Sequence, residues 1–245
     1  MVFRPCPQVY LCRRDPRDPR DRIDSDVRIT ISKENYLKAI AEAESEGETV
    51  KAVTLTRWLH VSAPAVTMAI KRLKRDALIR VARDGRLTLT AAGREIANRL
   101  LHRHHLIERM LTEIFGLEWY KVHDEAEQME HAVSADFERK LVEKLGAGAA
   151  CPHGNVAGAE SPEDRRKRGL TLLAETRPAD RIAVVSVFER DRKLLEYLDG
   201  LGIRPGVRME VLRVSADLEL SIAGRTVRVT HAAALRVWVR YSVLE

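Results

Sequence analysis

Between Ala52 and Leu89 the order of apolar residues admits few folds. Val53, Leu55, Trp58 and Leu59, then Val66, Ile70 and Leu73, fall at helical spacing and predict two short helices, about 52–60 and 63–75, each burying one stripe. A tight break separates them. Pro64 stands in the first turn of the second helix, where a missing N–H costs no hydrogen bond. Ile79-Arg-Val81 and Leu87-Thr-Leu89 alternate about Asp84-Gly85, a pair suited to the positive φ angles of a two-residue hairpin turn. Helix, helix-turn-helix, then hairpin is the order of a winged helix-turn-helix, which lays its second helix in a DNA major groove.

Charge supports that reading because it is segregated. From Lys51 to Arg94 there are ten Lys and Arg against two Asp and Glu, a net of +8. From His105 to Leu145 there are ten Asp and Glu against five Lys and Arg, a net of −5. A compact basic block neutralises phosphates; an acidic block with histidines can hold a cation. The exposed start of the second helix, Ser62, Ala63, Pro64, Ala65, Thr67 and Met68, is expected to face base edges. Lys71, Arg72, Lys74 and Arg75 reach phosphates, and Arg83 and Arg86 flank the hairpin tip for a backbone or minor-groove contact. Few groove-facing residues are bidentate base readers, so contacts to thymine methyls and DNA shape are expected to contribute.

The rest of the chain predicts a mainly α protein with small β parts. Residues 1–30 hold four of the nine prolines and a DPRDPRDR run, which reads as a disordered tail. Ser32 looks like an N-cap for a helix ending near Ser45, with Tyr36, Leu37, Ile40 and Ala41 inward, so the DNA-binding domain is placed at 31–94. Helices at about 91–115, 119–133 and 134–145 make a helical domain at 95–145, with Val122, Met129, Val133 and Leu141 as candidates for a dimer face. A glycine-containing linker is placed at 146–175 and a small β-barrel of about five strands at 176–245. No run of apolar residues is long enough for a membrane helix, and the first residues lack a secretory pattern, so a cytoplasmic location is expected. Three cysteines point to no disulfide framework. No Ser-His-Asp order or glycine-rich phosphate loop suggests an enzyme.

Within the acidic block, His123, Glu127, Glu130 and His131 share one helical face at i, i+4, i+7 and i+8, and the preceding helix offers His104 and Glu108 at i, i+4. Imidazole with carboxylate suits Mn²⁺, Fe²⁺ and similar divalent ions; on spacing alone a salt-bridged surface is the other reading.

The wording of several stretches settles between them. ENYLKAI (34–40), VSAPAVTMAIKRLKRDALI (61–79), LTLTAAGREIA (87–97), HRHHLIERMLTEIFGLE (102–118), KVHDEAEQMEHAVS (121–134), CPHGN (151–155) and LLEYLDGLGIRPG (194–206) resemble the diphtheria-toxin-repressor and manganese-transport-regulator family. The resemblance runs from about Ser32 to Glu245. It implies a winged helix-turn-helix, a helical dimerisation domain and an SH3-like, FeoA-type barrel. It implies a primary metal site of Glu127, Glu130, His131 and His104, with Asn35 at a position normally Asp or Met and Lys38, unable to coordinate while protonated, at one that is Glu in some members. Glu127 stands where manganese-type members carry Glu and iron-type members Cys, which favours Mn²⁺. An ancillary site is implied at Glu108, with Cys151 and His153 in one manganese-type pattern, His123 in the iron-type pattern, and Glu189 from the last domain beside Ser186. The implied function is a homodimeric repressor that binds a pseudo-palindromic operator in double-stranded DNA when Mn²⁺, or alternatively Fe²⁺, is sufficient, and so controls metal uptake. Two other readings compete: a winged-helix regulator with a non-metal effector, whose DNA binding would ignore chelators, and a helical dimetal enzyme, for which a second Glu-x-x-His copy is missing.

Overall fold

The computed structural model describes residues 29–146, 148–156 and 158–242, so the reading of 1–30 as a tail lies outside the described residues except at Ile29 and Thr30. The first unit contains α1 (Ile31–Ser45), α2 (Ala52–Leu59), α3 (Ala63–Arg75) and the antiparallel pair β1 (Ile79–Val81) and β2 (Leu87–Leu89). Thr30, rather than Ser32, caps α1: its backbone is extended and its hydroxyl accepts from the Lys33 N–H. Leu37, Ile40, Leu55, Val66, Leu73, Ile79 and Leu87 fill one core. Val53 does not join it. It is 73% exposed, on the outer face of α2. Asp84 accepts from the Arg86 N–H and Gly85 takes φ +80°, the turn chemistry that holds Val81 opposite Leu87.

α4 (Ala91–Glu113) starts from Thr90, whose hydroxyl accepts from the Gly93 N–H, and carries the chain out of the first unit. α5 (Val122–Met129) and α6 (Ala135–Leu145) pack on it around Leu106, Ile107, Met110, Val122, Ala126 and Leu141. α5 is shorter than the apolar spacing predicts. Ser134 is extended (ψ 156°) so that its hydroxyl can accept from the Phe137 N–H and cap α6, and that backbone cannot continue α5. Val122 and Leu141 lie in this core rather than on a free face; the exposed apolar residues here are Ile114, Phe115 and Phe137.

The third unit is an antiparallel sheet of order β3-β8-β4-β5-β6-β7. Its strands are β3 (Leu170–Leu172), β4 (Arg181–Val187), β5 (Arg208–Val214), β6 (Asp217–Ile222), β7 (Arg225–Thr230) and β8 (Val237–Tyr241). α7 (Pro162–Lys167) precedes it, α8 (Arg192–Gly200) joins β4 to β5, and α9 (His231–Ala234) joins β7 to β8. β3 falls inside the 146–175 stretch read as a linker, yet Leu170 pairs with Arg240. Three residues carry too little alternation to announce a strand; β8 makes it one. Bulges between Val184 and Ser186 and between Val211 and Arg213 bend the sheet about its core.

Two contacts set the units against each other. Trp119, just before α5, enters the β-unit core, and its indole N–H donates to Asp199 at 2.7 Å. The turn from Cys151 to Asn155 lies on β4, where the Val187 N–H donates to the His153 carbonyl. Gly154 has φ +83°, and a Cβ there would stand 1.9 Å from the Val185 carbonyl oxygen, so only glycine lets this turn sit so close. Among the described residues no helix is long and apolar enough to cross a membrane.

Candidate metal centre and DNA-facing surface

α4 presents His104, His105 and Glu108; α5 adds His123; the Cys151–Asn155 turn adds Cys151 and His153; the chain after β4 adds Glu189. All seven side chains are buried. Glu108 Oε1 is 3.0 Å from His104 Nε2, 3.2 Å from His123 Nδ1 and 3.4 Å from His153 Nδ1. Glu189 Oε2 is 3.4 Å from Cys151 Sγ and 3.6 Å from His153 Nδ1, and its other oxygen is 3.6 Å from His105 Nε2. Two groupings, His104–Glu108–His123–Glu189 and His105–Glu108–Cys151–Glu189, each bring their ligand atoms within 4.8 Å of one another.

This inner cluster fits a divalent ion. Glu108 Oε2 is buried with no hydrogen-bond partner among the described residues, a costly state for a carboxylate oxygen unless a cation meets it. The His153 Nε2–H donates to the Trp119 carbonyl at 2.8 Å, which turns Nδ1 toward Glu108 and Glu189, where an ion can replace its proton. Carboxylate, imidazole and a thiol are ligands for first-row ions.

The outer cluster is different. Glu130 stands at the end of α5, Glu127 one turn earlier, and Lys38 of α1 projects between them. Lys38 Nζ donates to Glu130 Oε2 at 2.7 Å and lies 3.0 Å from His104 Nδ1, 3.8 Å from Glu127 and 4.0 Å from Glu42. Arg190 donates to Glu42 at 2.7 Å and to Glu127 at 3.0 Å. His131 stands at the edge of this cluster: its Nδ1 meets Glu34 at 3.0 Å, and its Nε2 meets Asn35 Oδ1 at 2.6 Å and lies 3.6 Å from Glu130 Oε1. The resemblance groups Glu127, Glu130, His131, His104 and Asn35 as one ion site. These residues are neighbours, and the Lys38 ammonium stands among three of them, Glu127, Glu130 and His104, where a shared ion would have to lie. His104 belongs to both clusters, with Nδ1 toward Glu130 (2.7 Å) and Nε2 toward Glu108. Glu127, from which the preference for Mn²⁺ is drawn, faces Arg190 and Lys38. Lys38 stands out in the sequence only as a charge at an awkward position; Glu42, His105 and Arg190 give no sign there of joining a site.

Electrostatics separate the clusters further. Burial opposes charge on Glu108, yet His153 and His104 hold its carboxyl well below the usual range. Burial and Glu108 both oppose charge on Glu189, but His105 and His123 hold it low as well. Burial pushes the Cys151 thiol well up, and the two carboxylates push it further. For His104, burial and Lys38 oppose protonation, but Glu108 and Glu130 prevail and raise it to about 9. Burial presses Lys38 toward neutrality, and Glu42, Glu130 and Glu127 reverse this. Glu130, despite burial, is brought down to about 2 by His104 and Lys38.

The inner cluster is therefore proton-loaded, and an ion entering it must displace protons from His104 and Cys151. Titration calorimetry of Mn²⁺ in buffers of differing ionisation enthalpy should show proton release. Affinity should rise between about pH 6 and 8 by roughly tenfold per unit for each proton displaced. An affinity flat across that range would mean that neither group becomes a ligand.

In the first unit, Ser62, Pro64, Ala65, Thr67, Met68, Lys71, Arg72 and Arg75 are all exposed along α3, and Arg83 and Arg86 are exposed at the hairpin. The inward face of α3, Val66, Ala69 and Leu73, is buried. The helix thus offers small side chains at its start and a basic end. Lys33 and Asp76 form a 2.7 Å ion pair that ties α1 to the end of α3.

Comparison with known proteins agrees in order and extent. The model described as iron dependent repressor, N-terminal DNA binding domain, matches residues 28–87. That described as iron dependent repressor, metal binding and dimerisation domain, matches 90–157, and the FeoA domain matches 171–241. The diphtheria toxin repressor of Corynebacterium jeikeium is 32% identical over 210 residues, 77% of this chain and 88% of its own. The iron-dependent repressor IdeR of Mycobacterium tuberculosis is 35% identical over 191 residues, 73% of this chain and 82% of its own. A solved manganese-dependent transcriptional repressor in complex with manganese superposes with TM-score 0.77 at 30% identity, over 86% of this chain and 100% of that one. A winged helix, a helical unit lined with histidines and carboxylates, and a small β-domain together define a metal-dependent, DNA-binding transcriptional repressor rather than an enzyme. This chain belongs to the diphtheria toxin repressor family.

Proposed function

We propose that this protein senses Mn²⁺ at the inner cluster and, as a homodimer, represses metal-uptake genes by binding pseudo-palindromic operators in double-stranded DNA. The observation that carries the reading is the unpartnered Glu108 oxygen at the centre of buried side chains drawn from α4, α5, the Cys151–Asn155 turn and the end of β4. A bound divalent ion supplies two positive charges there. Glu108 and Glu189 are then neutralised without histidine protons, and Glu108, His123, His153, Cys151 and Glu189 hold their elements in one arrangement. His104 passes that arrangement outward: with Nε2 on the inner cluster, its Nδ1–H donates to Glu130, and Glu130 accepts from Lys38 of α1. α1 is packed in the DNA-binding core, so the pose of α3 is coupled to the ion. Ile114, Phe115 and Phe137 are exposed apolar residues of the helical unit that a second copy would cover. A repressor acts where the DNA is, which in a bacterium is the cytoplasm.

Two carboxylates at the cluster and the manganese-bound relative support Mn²⁺. Four imidazoles, a thiol and relatives named as iron-dependent support Fe²⁺ as the second reading. Fluorescence anisotropy with the DNA upstream of the protein's own gene, at fixed salt and without oxygen, compares chelator, Mn²⁺ and Fe²⁺. Tight binding with Mn²⁺ at lower concentration than Fe²⁺ is expected. The reverse ranking would make the protein an iron sensor, and equal binding in chelator would end the metal switch and favour a non-metal effector.

A further inference from the structure

We infer that the Lys38 ammonium is the resident cation of the outer cluster, so that divalent ions act on this chain only through the inner one; this rests on the inner-cluster reading above. Four groups from three helices surround Nζ: Glu42 of α1, His104 of α4, and Glu127 and Glu130 at the end of α5, at 2.7–4.0 Å. A first-row ion binds carboxylate oxygens at about 2.0–2.2 Å. Placed among these groups it would overlap Nζ, and Lys38 is only 3% exposed. Arg190 adds a second cation beside it, with Nη1 2.7 Å from Glu42 Oε2 and 3.0 Å from the same Glu127 oxygen that faces Lys38. His131, the imidazole that would complete a ligand set, lies on the far side of Glu130, with Nε2 3.6 Å from Glu130 Oε1, and both its nitrogens are already engaged by Glu34 and Asn35.

The consequence reaches the DNA-binding unit. Lys38 lies on α1, and its partners lie on α4 and α5, so this ammonium ties the winged helix to the helical unit whether or not metal is present. Lys38 is thus a positioning residue that replaces an exchangeable cation by a permanent one. A cavity lined by Asn35, Lys38, Glu42, His60, Glu127 and Arg190 lies beside it. A Lys38 side chain that swung into that space would vacate the cluster for an ion, and ion counting decides between the two arrangements.

The full chain, stripped with chelator, is titrated with Mn²⁺ while electron paramagnetic resonance reads the free ion. One ion per protomer is expected, kept in Glu130→Gln and lost in Glu108→Gln. Lys38→Glu exchanges the resident cation for a ligand and should raise the count to two, a gain that a merely structural role for Lys38 would not produce. Two ions in the unsubstituted protein, one of them lost in Glu130→Gln, would overturn the inference. So would a folded Lys38→Glu protein, shown by its melting transition, that still binds one. A count of zero in the unsubstituted protein would sink the inner-cluster reading; a gained ion in Lys38→Glu would then still support Lys38 as the resident cation, and no gain would overturn both. If Lys38→Glu does not fold, the counts for the unsubstituted, Glu130→Gln and Glu108→Gln proteins decide, a single ion lost in Glu130→Gln counting against the inference.

Discussion

Glu108→Gln should weaken Mn²⁺ binding by at least about 100-fold and remove metal-dependent DNA binding at concentrations that saturate the unsubstituted protein. Glu108 sits 3.0–3.4 Å from three imidazoles and has its second oxygen unpartnered. Glutamine keeps the shape and the hydrogen bonding but takes away the charge on which the ion depends. The metal-free fold should survive, because Glu108 raises the pKa of both His104 and His153, and its loss lets either imidazole stand neutral in the interior. Thermal melts provide the control. Mn²⁺ at about 100 times its Kd should stabilise the unsubstituted protein by roughly 2.7 kcal/mol and the variant by no more than about 0.4 kcal/mol. A variant whose DNA binding still responds to Mn²⁺ within about threefold would place the regulatory ion elsewhere.

Met68→Glu should reduce operator affinity by about 100-fold or more and leave ion binding untouched. Met68 is 51% exposed on α3, beside Thr67, Lys71 and Arg72. A carboxylate there meets the negative field of the groove at the point where close approach is needed. Little packing is lost, so stability should move by no more than about 0.5 kcal/mol. Operator binding unchanged in anisotropy would show that α3 is not the helix that enters the groove.

Much of the fold is legible in the residues. The apolar spacing around Leu55 and Trp58, then Val66 and Leu73, with Pro64 and Asp84-Gly85 as punctuation, determines the winged helix because each mark acts within a few residues of itself. The exposed basic face of α3 follows from the same spacing. The i, i+4 pair of His104 and Glu108 is likewise local, since one helical turn puts both side chains on one face.

What the sequence could not decide is which of these groups share a centre. His123, Cys151, His153 and Glu189 meet Glu108 only because Trp119 docks into the β-unit core and Gly154 lets the Cys151–Asn155 turn lie against β4. β3, too short to read in isolation, owes its existence to β8. Lys38 looks from its position like a break in a ligand set, and the packing of α1 against α4 and α5 makes it the cation of that set. Periodicity and capping act over one or two turns, so the sequence by itself determined the helices of the winged unit, the hairpin and the exposed basic face of α3. The division into one proton-loaded, ion-ready cluster and one already neutralised by Lys38 and Arg190 depends on charges far apart in the chain, and burial of the Lys38–Glu130 pair makes its pairing decisive.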